Sequence, residues 1–228
     1  MQFTTEDHAR VSQAIADAEA RTSGEIYCVA AREVSSYRDV PLAWAAAAAL
    51  ILPKGLVAFG FSPPGFPGFA DSWEAAHTAA RDVTVCGALA GYAVLQAATF
   101  LGVFTLVSLP GVRFALTPRV MRRARVRRAA LHQFLSHGLQ FTEDRTGVLI
   151  FAALADHRVE IIADKGIHGR VDDEVWADAV EALTRELKAG RPAEGFEAAI
   201  RLCSQVLADK FPPQPMDRNE LADRLVVL

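Results

Sequence analysis

Five carboxylates gather around one hairpin-like stretch. Glu143 and Asp144 precede an apolar run, Asp164 ends the next run, and Asp172 and Asp173 follow shortly after. Hard cations need several oxygen ligands at once, and open α/β sheets often take ligands at strand ends. Asp144, Asp164 and Asp172 are therefore the candidate ligands of a divalent cation. The same residues have a structural use, because acids at helix starts cap orphan N–H groups. Between them, residues 165–169 (KGIHG) place two glycines ahead of a helix, where backbone amides can receive a phosphate; the GxxxxGK[ST] pattern is absent. His168 in that loop is either an acid or base near neutral pH or a solvated loop residue. His132 and His137 do not share a helix face as a metal pair would. No HExxH, GxSxG or Cys–His arrangement is present.

The elements that must position these groups are legible from periodicity. Residues 147–154 form a nearly continuous apolar run, as a central strand should. Ala155–Asp156–His157 makes a connection, and residues 158–164 alternate, with Val159, Ile161 and Ala163 opposite Arg158 and Glu160. Upstream, residues 5–21 read as a helix with Val11, Ile15 and Ala18 on one face, capped by Thr4 or Thr5. Gly24 ends it, and residues 25–32 (EIYCVAAR) read as a short strand. Downstream, Asp172 or Asp173 opens a helix bearing Trp176, Leu183 and Leu187, ended by Gly190. Pro192 opens another bearing Phe196, Ile200, Cys203 and Leu207. In the tail, LADRLVVL (221–228) can dock as a short helix or strand.

Between the first strand and the hairpin lies a different kind of sequence. Over 228 residues the chain is 51% hydrophobic, with a mean hydropathy of +0.17. Residues 83–109 contain no charge, and at about 1.5 Å per residue they exceed a ~30 Å hydrocarbon layer. Residues 42–61 form a first apolar segment that Pro53 and Lys54 interrupt. It reads as a membrane span in preference to a buried Ala-rich helix ending at Pro53. Gly87 and Gly91 have a spacing that lets a second helix approach. Seven arginines, Arg113, Arg119, Arg122, Arg123, Arg125, Arg127 and Arg128, follow without an intervening acid. The positive-inside rule puts them, and both termini, on the cytoplasmic side. Arg119, Arg122, Arg123, Arg125, Arg127 and Arg128 are the candidate contacts to anionic lipid headgroups. Lacking aromatic interleaving, the cluster is not read as a nucleic-acid site. The N-terminus has acids where a signal peptide needs a basic start. Three cysteines without CxxC spacing predict buried free thiols.

The stretch DRTGVLIFAALADHRVEIIADKGIHGRV (144–171) resembles the signature of TPM domains. That signature has an acid, an apolar strand, a short turn, a second strand and a glycine loop. TSGEIYCVA (22–30) is similar to that domain's first strand, and the run from Gly190 through Gly195 and Phe196 to its last helix. The resemblance implies a small Rossmann-like α/β/α sandwich with a mixed sheet, here interrupted by a two-helix transmembrane hairpin. The expected organisation is 1–41 and 113–210 for the domain, 42–112 for the hairpin and 211–228 for a tail. Members of the family have been linked to photosystem repair, receptor modulation and a sometimes calcium-dependent acid phosphatase activity. Many lie outside the cytoplasm behind a signal peptide, from which this chain departs. Two functions are thus expected of a cell (inner) membrane protein. One is a tethered interaction or assembly module with a protein partner; the other is a divalent-cation-dependent hydrolase.

Overall fold

The computed structural model describes residues 3–58, 84–142, 144–168, 170–171, 173–213 and 219–228. The chain divides into two compact units, residues 1–35 with 119–228, and residues 36–118.

The first unit is a three-layer sandwich. Helix α1 (Thr5–Glu19) starts from a capping box: the Thr4 hydroxyl accepts from the Asp7 N–H, and the Asp7 carboxylate accepts from the Thr4 N–H. The hydrogen bond from the Thr4 backbone holds the Asp7 carboxyl below its ordinary range. Strands β1 (Glu25–Ala31), β2 (Gly147–Ala153), β3 (Arg158–Ala163) and β4 (Leu225–Val227) make one sheet in the order β3-β2-β1-β4. β1 runs parallel to β2, with Glu25 opposite Gly147. It also runs parallel to β4, with Cys28 opposite Leu225. β3 turns back antiparallel to β2, with Val148 opposite Ala163. The tail thus docks as a strand, and the first strand pairs with the hairpin across everything between them.

Both central strands are buried along their whole length, which is why they lack polar alternation. Ile26, Cys28, Ala30, Val148 and Ile150 pack on one face against α1, α6 (Ala177–Lys188) and α7 (Pro192–Lys210). Tyr27, Val29, Leu149 and Phe151 pack on the other against Val126, Ala130 and Phe134 of α5 (Arg119–Ser136). Gly195 makes the α6–α7 approach possible: a Cβ there would lie 2.6 Å from Leu183 Cδ1. Cys28 and Cys203 are buried free thiols. Burial raises both, Cys203 to about 12 and Cys28 well above its ordinary value, so neither forms a thiolate readily.

The second unit pairs helices α2 (Asp39–Ala58) and α3 (Thr84–Ser108), followed by α4 (Pro110–Leu116). Both long helices are long and apolar enough to cross a membrane. Pro53 does not end α2, as a buried Ala-rich helix stopping there would require; the helix runs on to Ala58. Proline has no N–H for the carbonyl four residues back, which is that of Ala49. Gln96 of α3 supplies the missing donor, its side-chain amide reaching Ala49 O at 3.3 Å. The most polar residue of the charge-free run therefore repairs the helix opposite. Thr99 and Thr105 likewise satisfy their hydroxyls on the carbonyls of Leu95 and Leu101 within α3.

Burial in this unit is inverted relative to a soluble helix pair. Small residues such as Ala45 and Ala49 are buried, while Ile51 and Val94 are each 66% exposed. Small-in and large-apolar-out is the arrangement expected when hydrocarbon is the solvent.

Candidate functional site

The hairpin brings the expected carboxylates to one end of the sheet. β2 begins and antiparallel β3 finishes at that end, so Asp144 and Asp164 flank the same edge. Because β1 and β2 also begin there, it is the amino end of the parallel strands, opposite to where open α/β sheets usually bind ligands.

Asp164 is buried. One carboxylate oxygen accepts from the Lys165 N–H at 2.6 Å, and its carbonyl accepts from the Ile167 and His168 N–H groups. Residues Lys165–His168 thereby form a helical turn, where an open phosphate loop was one expectation. Gly166 packs directly against backbone oxygens: a Cβ there would lie 2.6 Å from Arg145 O and 2.7 Å from Asp144 O. The near side of Gly166 therefore faces carbonyls, which repel an anion. Arg145 itself sits in the left-handed region at φ 54, a conformation that costs a non-glycine residue about 1 kcal/mol or more.

Asp144 is exposed at a cleft of about 350 Å³ lined also by Ser23, Thr146, Gly166, Arg170, Lys210 and Phe211. The floor is tied together by main-chain contacts. The Thr146 hydroxyl donates to Ser23 O at 2.9 Å, and the Thr22 hydroxyl donates to Phe211 O at 2.7 Å. Arg170 lies over the Phe211 ring, 5.2 Å from its centroid, a cation–π contact. The cleft combines two hydroxyls, one carboxylate and two cations.

The second oxygen of Asp164 is buried and has no hydrogen-bond partner among the described residues. A cation would satisfy it. The described residues, however, contain no group of three His, Cys, Asp or Glu side chains that could hold a metal. Asp172, the third expected ligand, lies outside them, as do Glu143 and Gly169. The donors among the described residues are too few for a calcium site, so no step is assigned to a metal.

Glu19 and Glu25 form a second carboxylate group. Glu25 is buried and accepts from the N–H groups of Glu220 and Leu221, holding the tail for β4. Glu19 accepts from the Ile26 N–H at 2.8 Å. Burial, with Glu25 and Asp223 nearby, pushes Glu19 up to about 9. An acid at the end of α1 gave no sequence signal of this, because its neighbours come from the far C-terminus. Since the folded value exceeds the ordinary 4.5, stability from this group is full below that pH and is lost as pH rises toward 9. Glu19→Gln, which keeps the acceptor, is expected to flatten that decline. Unfolding midpoints of the full chain from pH 4 to 9 check it; an unchanged slope would remove Glu19 as the cause.

The expected lipid-contact arginines separate on α5. Arg125 donates to Ser35. Arg123 and Arg127 line a groove beside β3 that also contains His168. Arg122 is half-buried, and Arg119 and Arg128 are exposed. On the outward face, Val120 is 80% exposed and Leu135 59%, with Leu131 between them and Phe141 just beyond.

A mixed four-stranded α/β/α sandwich with an apolar helix pair inserted after its first strand defines the class. Residues 111–206 match the profile of the TPM domain. The matched stretch includes β2 and β3 but neither β1 nor β4, which complete the sheet. Among solved structures, the fold is similar to the NMR structure of the BA42 protein from the psychrophilic bacterium Bizionia argentinensis. The TM-score is 0.56 and the identity 20%, covering 100% of this chain and 97% of that one. No curated protein matches.

Proposed function

We propose that this protein is a bilayer-anchored interaction module, with the TPM domain held at the cytoplasmic membrane surface by α5. The observation that carries this reading is the outward face of α5. Val120, Leu131 and Leu135 form an exposed apolar stripe flanked by Arg119 and Arg128. An interfacial helix buries such apolar groups among acyl chains and pairs the cations with anionic headgroups. The apolar exteriors of α2 and α3 support the anchor, and the arginine cluster after α3 supports cytoplasmic termini.

The test uses the full chain in anionic lipid nanodiscs, with an environment-sensitive fluorophore at Leu135→Cys and, as control, at exposed Glu181→Cys. Lipid-borne quenchers should reduce the Leu135→Cys signal several-fold more than the control. Equal quenching would remove the surface contact, and release of the protein by alkaline carbonate would remove the anchor.

The cleft at Asp144 favours a second reading, a phosphate-ester hydrolase in which Arg170 and Lys210 receive the anion and Asp144 the attacking water. The same preparation should then hydrolyse p-nitrophenyl phosphate, and Asp144→Asn should reduce the rate at least ten-fold. Equal rates in both proteins would exclude Asp144 from the chemistry.

A further inference from the structure

β3 is one of the two edge strands of the described sheet. In an antiparallel pair, alternate residues direct their N–H and C=O groups toward opposite neighbours. The Asp164 N–H donates to Gly147 O, its opposite number in the β2–β3 register. By parity, Arg158, Glu160 and Ile162 bond to β2, while Val159, Ile161 and Ala163 present their backbone groups outward. A groove of about 410 Å³ runs along this edge. One wall is α5, with Arg123 and Arg127; the other is Trp176 and Val180 at the start of α6.

The two walls differ in chemistry, and β3 matches each. Val159, Ile161 and Ala163 pack on the α6 side. Glu160 lies on the α5 side, 3.5 Å from the Arg127 guanidinium. Among the described ionisable side chains lining the groove, Glu160 is the one carboxylate against Arg123, Arg127 and Arg158. The Arg127 pair is solvent-exposed on the arginine side, and such pairs are weak enough to exchange for another carboxylate.

We propose that this groove takes an extended acidic peptide segment of a protein partner, which adds to the sheet as a fifth strand beside β3. Successive side chains of a strand point to opposite faces. The segment therefore alternates: acidic residues toward Arg123, Arg127 and Arg158, apolar residues toward Trp176 and Val180. Backbone hydrogen bonds to Val159, Ile161 and Ala163 provide affinity, and the two walls select the pattern. Arginines over an open edge also serve to block strand pairing, and the experiment separates the two roles.

The inference deepens the interaction-module reading and rests on it. Full-length protein in detergent micelles is titrated with a fluorescent Glu-Val-Glu-Val-Glu-Val-Glu peptide and followed by anisotropy. Saturable binding is expected, at least ten-fold tighter than to a block-order peptide of the same composition. It should weaken at least ten-fold in Arg123→Gln/Arg158→Gln, whose melting should be nearly unchanged because Arg123 is exposed, Arg158 is only half-buried and glutamine keeps most of each stem. N-methylation of one alternate set of peptide residues should abolish binding, and methylation of the other set should be tolerated. Hydrogen exchange should slow at the Val159, Ile161 and Ala163 amides on binding, and not at Glu160 or Ile162.

Equal binding of the block-order peptide or of both methylated peptides would overturn strand addition in favour of charge alone. Absence of saturable binding would assign the arginines to blocking the edge, and peptide-insensitive self-association through β3 would assign the groove to a second copy. Any of these with the Leu135→Cys quenching intact removes the groove and leaves the bilayer attachment standing.

Discussion

Gly166→Ala is expected to destabilise the sheet domain by about 3 kcal/mol, the upper end of overpacking in a well-packed site. The new methyl would meet two main-chain oxygens, Arg145 O at 2.6 Å and Asp144 O at 2.7 Å. Neither can swing aside as a side-chain end would. Relief requires the Lys165–His168 turn to move off the lead-in to β2, which opens the cleft at Asp144 and loosens the cap made by Asp164. Gly102→Ala is the matched control, because a Cβ there meets nothing within 4 Å and alanine favours helix. Thermal unfolding of the three full-length proteins should show a clear loss for Gly166→Ala and none for Gly102→Ala. Similar midpoints for all three would mean that the turn and the β2 lead-in are not in close contact.

The other large effect is expected within the helix pair. Gln96→Leu leaves the Ala49 carbonyl without the donor that Pro53 cannot supply, at a partly buried position between the two helices. The cost is about 1–2 kcal/mol, between the averages for interhelical bonds in membranes and for unsatisfied buried groups. Its distinctive signature is rescue. Pro53→Ala restores the N–H, so Gln96→Leu should cost little in that background. A double-mutant cycle on the full chain, unfolded by titrating denaturing detergent into mixed micelles, measures the coupling. Equal costs of Gln96→Leu with and without Pro53 would show that the amide is not repairing the helix.

Both effects come from contacts that periodicity does not encode. Gln96 reads as a stray polar residue in an apolar run, and Pro53 as a break. Only their juxtaposition across two helices makes them a donor and its acceptor. Gly166 similarly reads as half of a glycine loop, whereas its lack of a Cβ is needed by carbonyls some twenty residues earlier in the chain. His168, counted with the same loop, lines the groove at β3 instead.

Determined by the sequence alone were most of the elements and the family resemblance. Apolar runs set β1 and β2, amphipathic spacing set α1, α6 and α7, and apolar length set the helix pair. The glycines, acids and strands of 144–171 carried the resemblance that the TPM-domain match at 111–206 bears out. These properties are local, because a chain's periodicity follows from which face it buries. Tertiary structure alone decided which groups meet. It placed Asp144 and Asp164 at the amino end of the parallel strands, and tied Glu19 and Glu25 to the C-terminal strand. It also turned the arginines of α5 toward three different surroundings. Such meetings depend on strand order and helix crossing, and side chains distant in sequence leave no spacing by which to recognise them.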